Sequence, residues 1–180
     1  SIALVAPTAD DARSVMLSSG REHQPEASGI LAVSSSDFYP RYEVSNRRLV
    51  WPNGSVATTY SAEEPERLRG PQHHFAWVDE IAAWAKHGEA WDQLLFGLRL
   101  GDHPQACITT TPRPIPLLKR LLADRATVVT RGTTYDNRAN LSPSWYASII
   151  TGFEGTRLGR QELMGEILSD VPGALWTLGL

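Results

Sequence analysis

Asp79 and Glu80 stand side by side at the end of a short apolar run, Phe75-Ala76-Trp77-Val78. Four apolar residues of this kind read as a buried strand, and in an open parallel sheet ligands sit outside the carboxyl ends of the strands. Neighbouring side chains diverge there, so two acids can take different tasks. The first can hold a Mg2+ that bridges phosphates; the second can orient or polarise an attacking water. The same pair also suits a surface turn, or the first turn of a helix, where the macrodipole favours negative charge. Company decides between these readings. Downstream, a second apolar strand (Ala106–Thr110) ends in three hydroxyls, Thr109, Thr110 and Thr111. Hydroxyls beside the acids can hydrogen-bond a γ-phosphate or its water, although β-propensity and turn capping explain threonines equally well. Upstream, "RLRG" offers Arg67 and Arg69, which can stabilise charge on a transferred phosphoryl group or be solvated loop charges. The division of labour between two acids after four apolar residues is that of a Walker B motif.

Other reactive side chains make weaker cases. His73 and His74 precede the acids, but adjacent strand residues point to opposite faces and do not easily chelate one ion. Cys107 lies in an apolar strand and reads as a small buried side chain. Trp51, Trp77, Trp84, Trp91, Trp145 and Trp176 read mostly as core or interface residues. The loop "TYDNRAN" (residues 134–140) either touches a nucleotide or a neighbour, or is turn chemistry. Basic residues from Arg113 to Arg138 are mixed with apolar and acidic ones, which argues for a solvated face; ring assembly could still align them into a basic lining.

These residues need elements to hold them. Residues 2–6 form an apolar run ended by Pro7, the pattern of a central strand in a parallel sheet. Thr8 and Asp11 make a capping box with Asp in place of Glu, opening a helix through about Met16. Residues 18–29 read as a loop, and 29–36 are ambiguous. Asn53-Gly54, between the β-prone runs 49–51 and 55–60, predicts a hairpin. Residues 75–78 give the strand that carries the acids. A helix over 90–100 turns Trp91, Leu94, Leu95 and Leu98 inward, with Gly101 closing it. Strands are expected at 106–110 and 127–130. A helix over 114–123 turns Leu117, Leu118, Leu121 and Leu122 inward. Ser142-Pro143 starts a helix to about Thr151, and residues 155–168 give a last one. Strands alternating with helices imply an α/β fold with a mostly parallel sheet flanked by helices.

Composition sets the outer limits. A chain of 180 residues, 42% hydrophobic and 21% charged, suits a globular domain with a real core. No apolar run is long enough to span a bilayer. A single cysteine precludes an internal disulfide and fits a reducing cytosol. The formal net charge of −3 is not that of a stand-alone nucleic-acid binder. The chain opens directly on the strand 2–6, so it is expected to be part of something longer.

Taken together, the motifs resemble the large terminase subunit of tailed bacteriophages, prophages and gene transfer agents. "IALVAPTADDARSVM" resembles the strand and helix after the P-loop unit, and "RRLVWPNGSVATTYSAEEPERLRGPQHHFAWVDEIAAW" the stretch through Walker B. "TTTPRP" resembles the coupling motif. "VTRGTTYDNRANLSP" and "GTRLGRQELMGEILSDVPGALW" resemble the end of the ATPase domain and its exit toward the nuclease domain. The resemblance implies a P-loop NTPase of the terminase, RecA-like ASCE type, entered after its first strand. Residues 1–170 would be a partial ATPase domain and 171–180 the start of a linker. It implies ATP hydrolysis with Mg2+, coupled to translocation of double-stranded DNA. Implied partners are a procapsid with its portal protein, a small terminase subunit and like subunits in a ring, all in the cytoplasm of the bacterial host cell. Residue by residue it makes Asp79 the Mg2+ ligand, Glu80 the catalytic carboxylate, and Arg69 (or Arg67) an arginine reaching a neighbour's nucleotide. Thr109, Thr110 and Thr111 would contact nucleotide and couple hydrolysis to movement.

The chain departs from that family at one decisive point. It contains no G-x-x-x-x-G-K-[ST], so nothing in it cradles the β- and γ-phosphates. By itself it is expected to hydrolyse ATP poorly or not at all. A catalytically inactive prophage remnant or an interaction module would explain this without truncation. A helicase-like enzyme is the third reading, disfavoured by the hairpin before "RLRG".

Overall fold

The computed structural model describes residues 1–18 and 28–168. It divides into two compact units, Ser1–Thr110 and Thr111–Leu180. The expected boundary at 170/171 and Trp176 lie outside the described residues, as does most of the loop expected at 18–29.

The first unit is built on β1 (Ile2–Ala6), four of whose five residues are buried. Its apolar run has no polar face, so it needs neighbours on both edges and cover on both sides. The chain then turns at Thr8. The Thr8 hydroxyl accepts from the Asp11 N–H at 3.0 Å, and the Asp11 carboxylate accepts from the Thr8 N–H at 3.2 Å. That reciprocal cap starts α1 (Ala9–Asp11), which continues as a π-helical turn, Ala12–Leu17, burying Ala12, Met16 and Leu17. The ambiguous stretch after Gly29 contains a short helix, α2 (Ile30–Val33).

β2 (Arg41–Glu43), β3 (Arg48–Val50) and β4 (Val56–Ser61) form an antiparallel meander. The turn between β3 and β4 is where Asn53-Gly54 predicts it. Gly54 has φ 82°, a conformation open to glycine, and the Asn53 side chain accepts from the Ser55 N–H at 2.9 Å. β4 then pairs parallel to β1, β1 to β5 (Phe75–Val78), and β5 to β6 (Gln105–Ile108). The sheet order is β2-β3-β4-β1-β5-β6. One face of it packs Leu4, Ala57 and Leu49 against Ala12, Met16 and Leu17.

After the acids comes α3 (His87–Gly97), which buries Ala90, Trp91, Leu94 and Gly97. It ends earlier than Leu100, and Leu95 is exposed rather than inward. The buried stripe is narrower than the sequence suggests because Gly97 is its last member. A Cβ there would meet the Pro71 carbonyl at 2.7 Å, so the helix lies directly on the preceding loop. In that loop His73 is buried, its ring edge-on to Tyr60 at 5.5 Å and its Nδ1 3.2 Å from the Ser1 hydroxyl. Burial, then the Ser1 amine and His74, lower its pKa from 6.5 to about 4.

Cys107 is exposed, contrary to the expectation of a buried thiol. β6 is the last strand of the sheet, and Gln105, Cys107 and Thr109 all face outward.

The second unit holds α4 (Pro116–Ala123), which buries Leu117 and Leu118, then α5 (Pro143–Phe153) and α6 (Arg157–Glu162). Residues 127–130 are not a strand. They join no ladder, and Val128 is 91% exposed. β-propensity describes fit to a half-buried pleated surface, and among the described residues no strand pairs with these. Ser142 precedes α5 as expected but makes no side-chain cap, whereas Thr156 caps α6 through the Gly159 N–H.

Candidate functional site

Asp79 and Glu80 lie at the carboxyl end of β5, between the tips of β1 and β6. The strand is held to its end: the Asp79 N–H donates to the Val5 carbonyl at 2.8 Å, and the Thr109 N–H donates to the Val78 carbonyl at 2.9 Å. The chain then reverses sharply. Glu80 has φ 49° and ψ 47°, the left-handed region that a non-glycine residue enters at a cost. This single residue leads into a 3-10 turn, Ile81–Ala83.

Two side chains lock that turn. The Trp84 indole N–H donates to the Asp79 carbonyl at 2.9 Å. The Thr110 hydroxyl accepts from the Ala82 N–H at 3.1 Å. Thr109 acts on the acid itself, its Oγ1 2.6 Å from Asp79 Oδ1 and 3.3 Å from the Val78 carbonyl. A hydroxyl has one proton, and the short, charge-assisted contact to the carboxylate takes it. The bond fixes the rotamer of Asp79 and uses one of about four lone-pair sites on its carboxylate.

The structure therefore brings together Asp79, Glu80, Thr109 and Thr110. Thr111 opens the second unit. Arg69 is exposed at the end of a 3-10 turn, Pro65–Leu68, with its backbone N–H on the Glu66 carbonyl at 3.2 Å. Among the described residues no hydrogen bond or ion pair joins it to Asp79. Arg67 pairs with Glu64 at 3.1 Å, both side chains being about half exposed. Sequence reasoning missed Trp84. Its signal is the spacing: an indole five residues past the acid can reach back only if the chain turns at Glu80.

The donor set can be tested against the groups the resemblance implies. Among the described residues no three His, Cys, Asp or Glu side chains gather into a metal cage. Mg2+ does not need one. It keeps several waters and is commonly held by one or two carboxylates plus substrate phosphates. A pre-oriented Asp79 fits that requirement. The phosphates find no such fit, because the chain has no Gly-rich loop ending in Gly-Lys-Ser or Gly-Lys-Thr.

No helix of the described residues is long and apolar enough to cross a membrane. No curated protein sequence matches the chain significantly. Solved structures do. The large terminase ATPase domain of Thermus phage P74-26 aligns over 93% of this chain and 76% of its own, at 19% identity and a TM-score of 0.55. The large terminase of a second, thermophilic bacteriophage aligns over 94% of this chain at 12% identity, with a TM-score of 0.69. The same thermophilic-phage protein in complex with ATP-gamma-S aligns over 93% of this chain and 40% of its own at 12% identity, with a TM-score of 0.66. The chain spans about two fifths of the length of that thermophilic-phage terminase in both structures, 41% and 40%. At these identities the likeness establishes the fold alone: a mixed sheet flanked by helices, shared with those terminase structures. The family model described as "Terminase large subunit, T4likevirus-type, N-terminal" matches residues 1–179, and the chain belongs to that family.

Proposed function

We propose that this chain supplies the metal-and-water side of the ATP site in a DNA-packaging motor. The observation that carries the reading is the 2.6 Å bond from Thr109 to Asp79 at the tip of β5, followed directly by Glu80 in the left-handed region. Asp79, held in one rotamer, presents its remaining lone pairs to a Mg2+. Bound with ATP, the ion would neutralise charge on the β- and γ-phosphate oxygens. Glu80 orients the attacking water. Thr109 and Thr110, tied to the acid and to the turn behind it, transmit a change at the phosphates into the chain beyond β6, where Thr111 begins the second unit. Arg69, exposed and not bonded to Asp79, serves a neighbouring subunit's nucleotide. The two phage proteins of similar fold are terminases, and structures of the thermophilic bacteriophage's enzyme are described with ADP and with ATP-gamma-S. By extension this chain works on double-stranded DNA, in a ring of like subunits with a portal-bearing procapsid and a small subunit.

The test is metal binding by the chain itself. Mn2+ with ATP should broaden the amide signals of Asp79, Thr109 and Ala82, and Asp79→Asn should abolish the broadening. Equal broadening in that variant would sink the reading. A second reading, a fold kept for interaction without hydrolysis, is favoured by the missing phosphate cradle. It is separated by joining a P-loop-bearing segment to the chain. Turnover that appears and is lost in Glu80→Gln, by about 10²–10⁴-fold, supports the motor; no turnover supports the interaction module.

A further inference from the structure

α3 and α5 are each eleven residues long, and each turns an unpartnered face to solvent. No residue of α5 is buried, although its sequence, PSWYASIITGF, is apolar enough for a core. Ala147 and Ile150, three apart, and Tyr146 and Ile150, four apart, share one helical face. With Leu141 and Arg138 they line a concave site of about 360 Å³. A helix of this composition gains little in water and is stabilised by covering its apolar stripe. The Arg138 guanidinium lies 5.2 Å above the Tyr146 ring, so the cation is held at the rim. Arg138 forms no ion pair among the described residues. Two acids of the same unit are directed elsewhere: Asp136 accepts from the Thr133 N–H and hydroxyl at 2.8 and 2.7 Å, and Glu154 from the Tyr135 hydroxyl at 3.0 Å.

α3 carries the complementary pattern. It buries Ala90, Trp91, Leu94 and Gly97 on one side. Glu89, Asp92 and Phe96 follow at i, i+3 and i+7 on the other side. All three are exposed, Phe96 by 72%. Leu95 beside it is 45% exposed, so the patch is more than one stray side chain. Glu89 forms no ion pair among the described residues, and seven residues of helix set it about 10 Å along the axis from Phe96. The charge of the two units agrees with this match. Residues 1–110 hold fourteen acids against nine Lys and Arg, whereas residues 111–168 hold eight Lys and Arg against five acids. The first unit of one copy therefore attracts the second unit of another and repels its like.

We propose that α3 of one copy docks in the α5 groove of the next, with Phe96 over Tyr146, Ala147 and Ile150, and Glu89 against Arg138. The contact joins different faces of the two copies, so it propagates head to tail, into a closed ring or an open filament. In a motor it rests on the ring proposed above, to which it gives the touching faces. An aromatic anchor in a pocket is where interfaces concentrate their energy. Two helices of about 16 Å cover less area than a standard interface, so the association is weak and grows with concentration.

Sedimentation velocity over a concentration series tests it. The unaltered chain should self-associate. Phe96→Asp and Ile150→Asp should each weaken association by about tenfold or more, because the anchor or its pocket is lost. Each of these variants keeps the other face, so an equimolar mixture should form a dimer and nothing larger. Glu89→Arg or Arg138→Glu alone should weaken association by about two- to fivefold, and both reversals in one chain should bring it back. These two side chains are exposed, so the charge exchange tests the contact even where an aspartate at position 150 unfolds α5. An unaltered chain that stays monomeric overturns the proposal. Undiminished association in Phe96→Asp also overturns it, since α5 against α5, or the edge of β6, is then the contact. A double reversal as weak as the single ones does so too. Neither nucleotide nor metal enters the measurement, so its failure leaves the Asp79 metal reading standing.

Discussion

At the scale of single residues, the tip of β5 combines one strained and one tethered group. Glu80 sits at φ 49°. Glu80→Val and Glu80→Asn both remove the carboxylate, but asparagine tolerates the left-handed region and a β-branched residue does not. Chemical denaturation should therefore find the valine variant less stable than the asparagine variant by about 1–3 kcal/mol. Thr109→Val keeps the shape and deletes the bond to Asp79. Its folding cost should be small, about 0.5–1.5 kcal/mol, because Thr109 is exposed. Its effect on Mn2+ affinity should be larger, about 10–100-fold, because an orienting partner of the ligand is lost. His73 gives the chain a pH dependence. Burial holds its pKa at about 4, against 6.5 unperturbed. Between those values the unfolded chain binds the extra proton and the folded chain does not, so stability falls as pH drops through this window and is level above it. Melting temperatures at about pH 5 and about pH 7.5 should differ, and His73→Phe should reduce the difference.

At the scale of elements, what could be read from sequence was whatever depended on local pattern. β1, β5, the Asn53-Gly54 hairpin and the Thr8–Asp11 cap stand where periodicity and turn chemistry put them. Asp79 and Thr109 also come together, because a strand ending in hydroxyls needed only to be the neighbour of β5. What escaped depended on distant partners. Residues 127–130 have strand composition but no ladder, and Cys107 has core composition in the outermost strand. Leu95 has the periodicity of a core residue, but α3 turns a narrower stripe inward. The reason is Gly97, which lets the helix rest on the Pro71 carbonyl. Gly97→Ala tests this. On helix propensity it should stabilise by about 1 kcal/mol. The backbone contact predicts the opposite sign, a loss of about 1–3 kcal/mol in thermal or denaturant unfolding.

At the scale of the whole molecule, β6 ends the sheet among the described residues, and within Gln105–Ile108 there is no proline or charged residue to blunt its outer edge. Static light scattering over a dilution series should show mass rising with concentration, and a strict monomer at high concentration would count against edge pairing. The sheet order has a further consequence, in time rather than in space. β1 is made first among these six strands, yet it lies in the middle, between β4 and β5. Neither neighbour exists until Val56 has been synthesised, some fifty residues after Ala6. At about 5–20 residues per second that is a wait of roughly 3–10 s. During it Leu4 and Val5, among the most deeply covered residues of the finished sheet, lack both of the strands that flank them there. The centre of this fold is the part that a nascent chain must shelter longest.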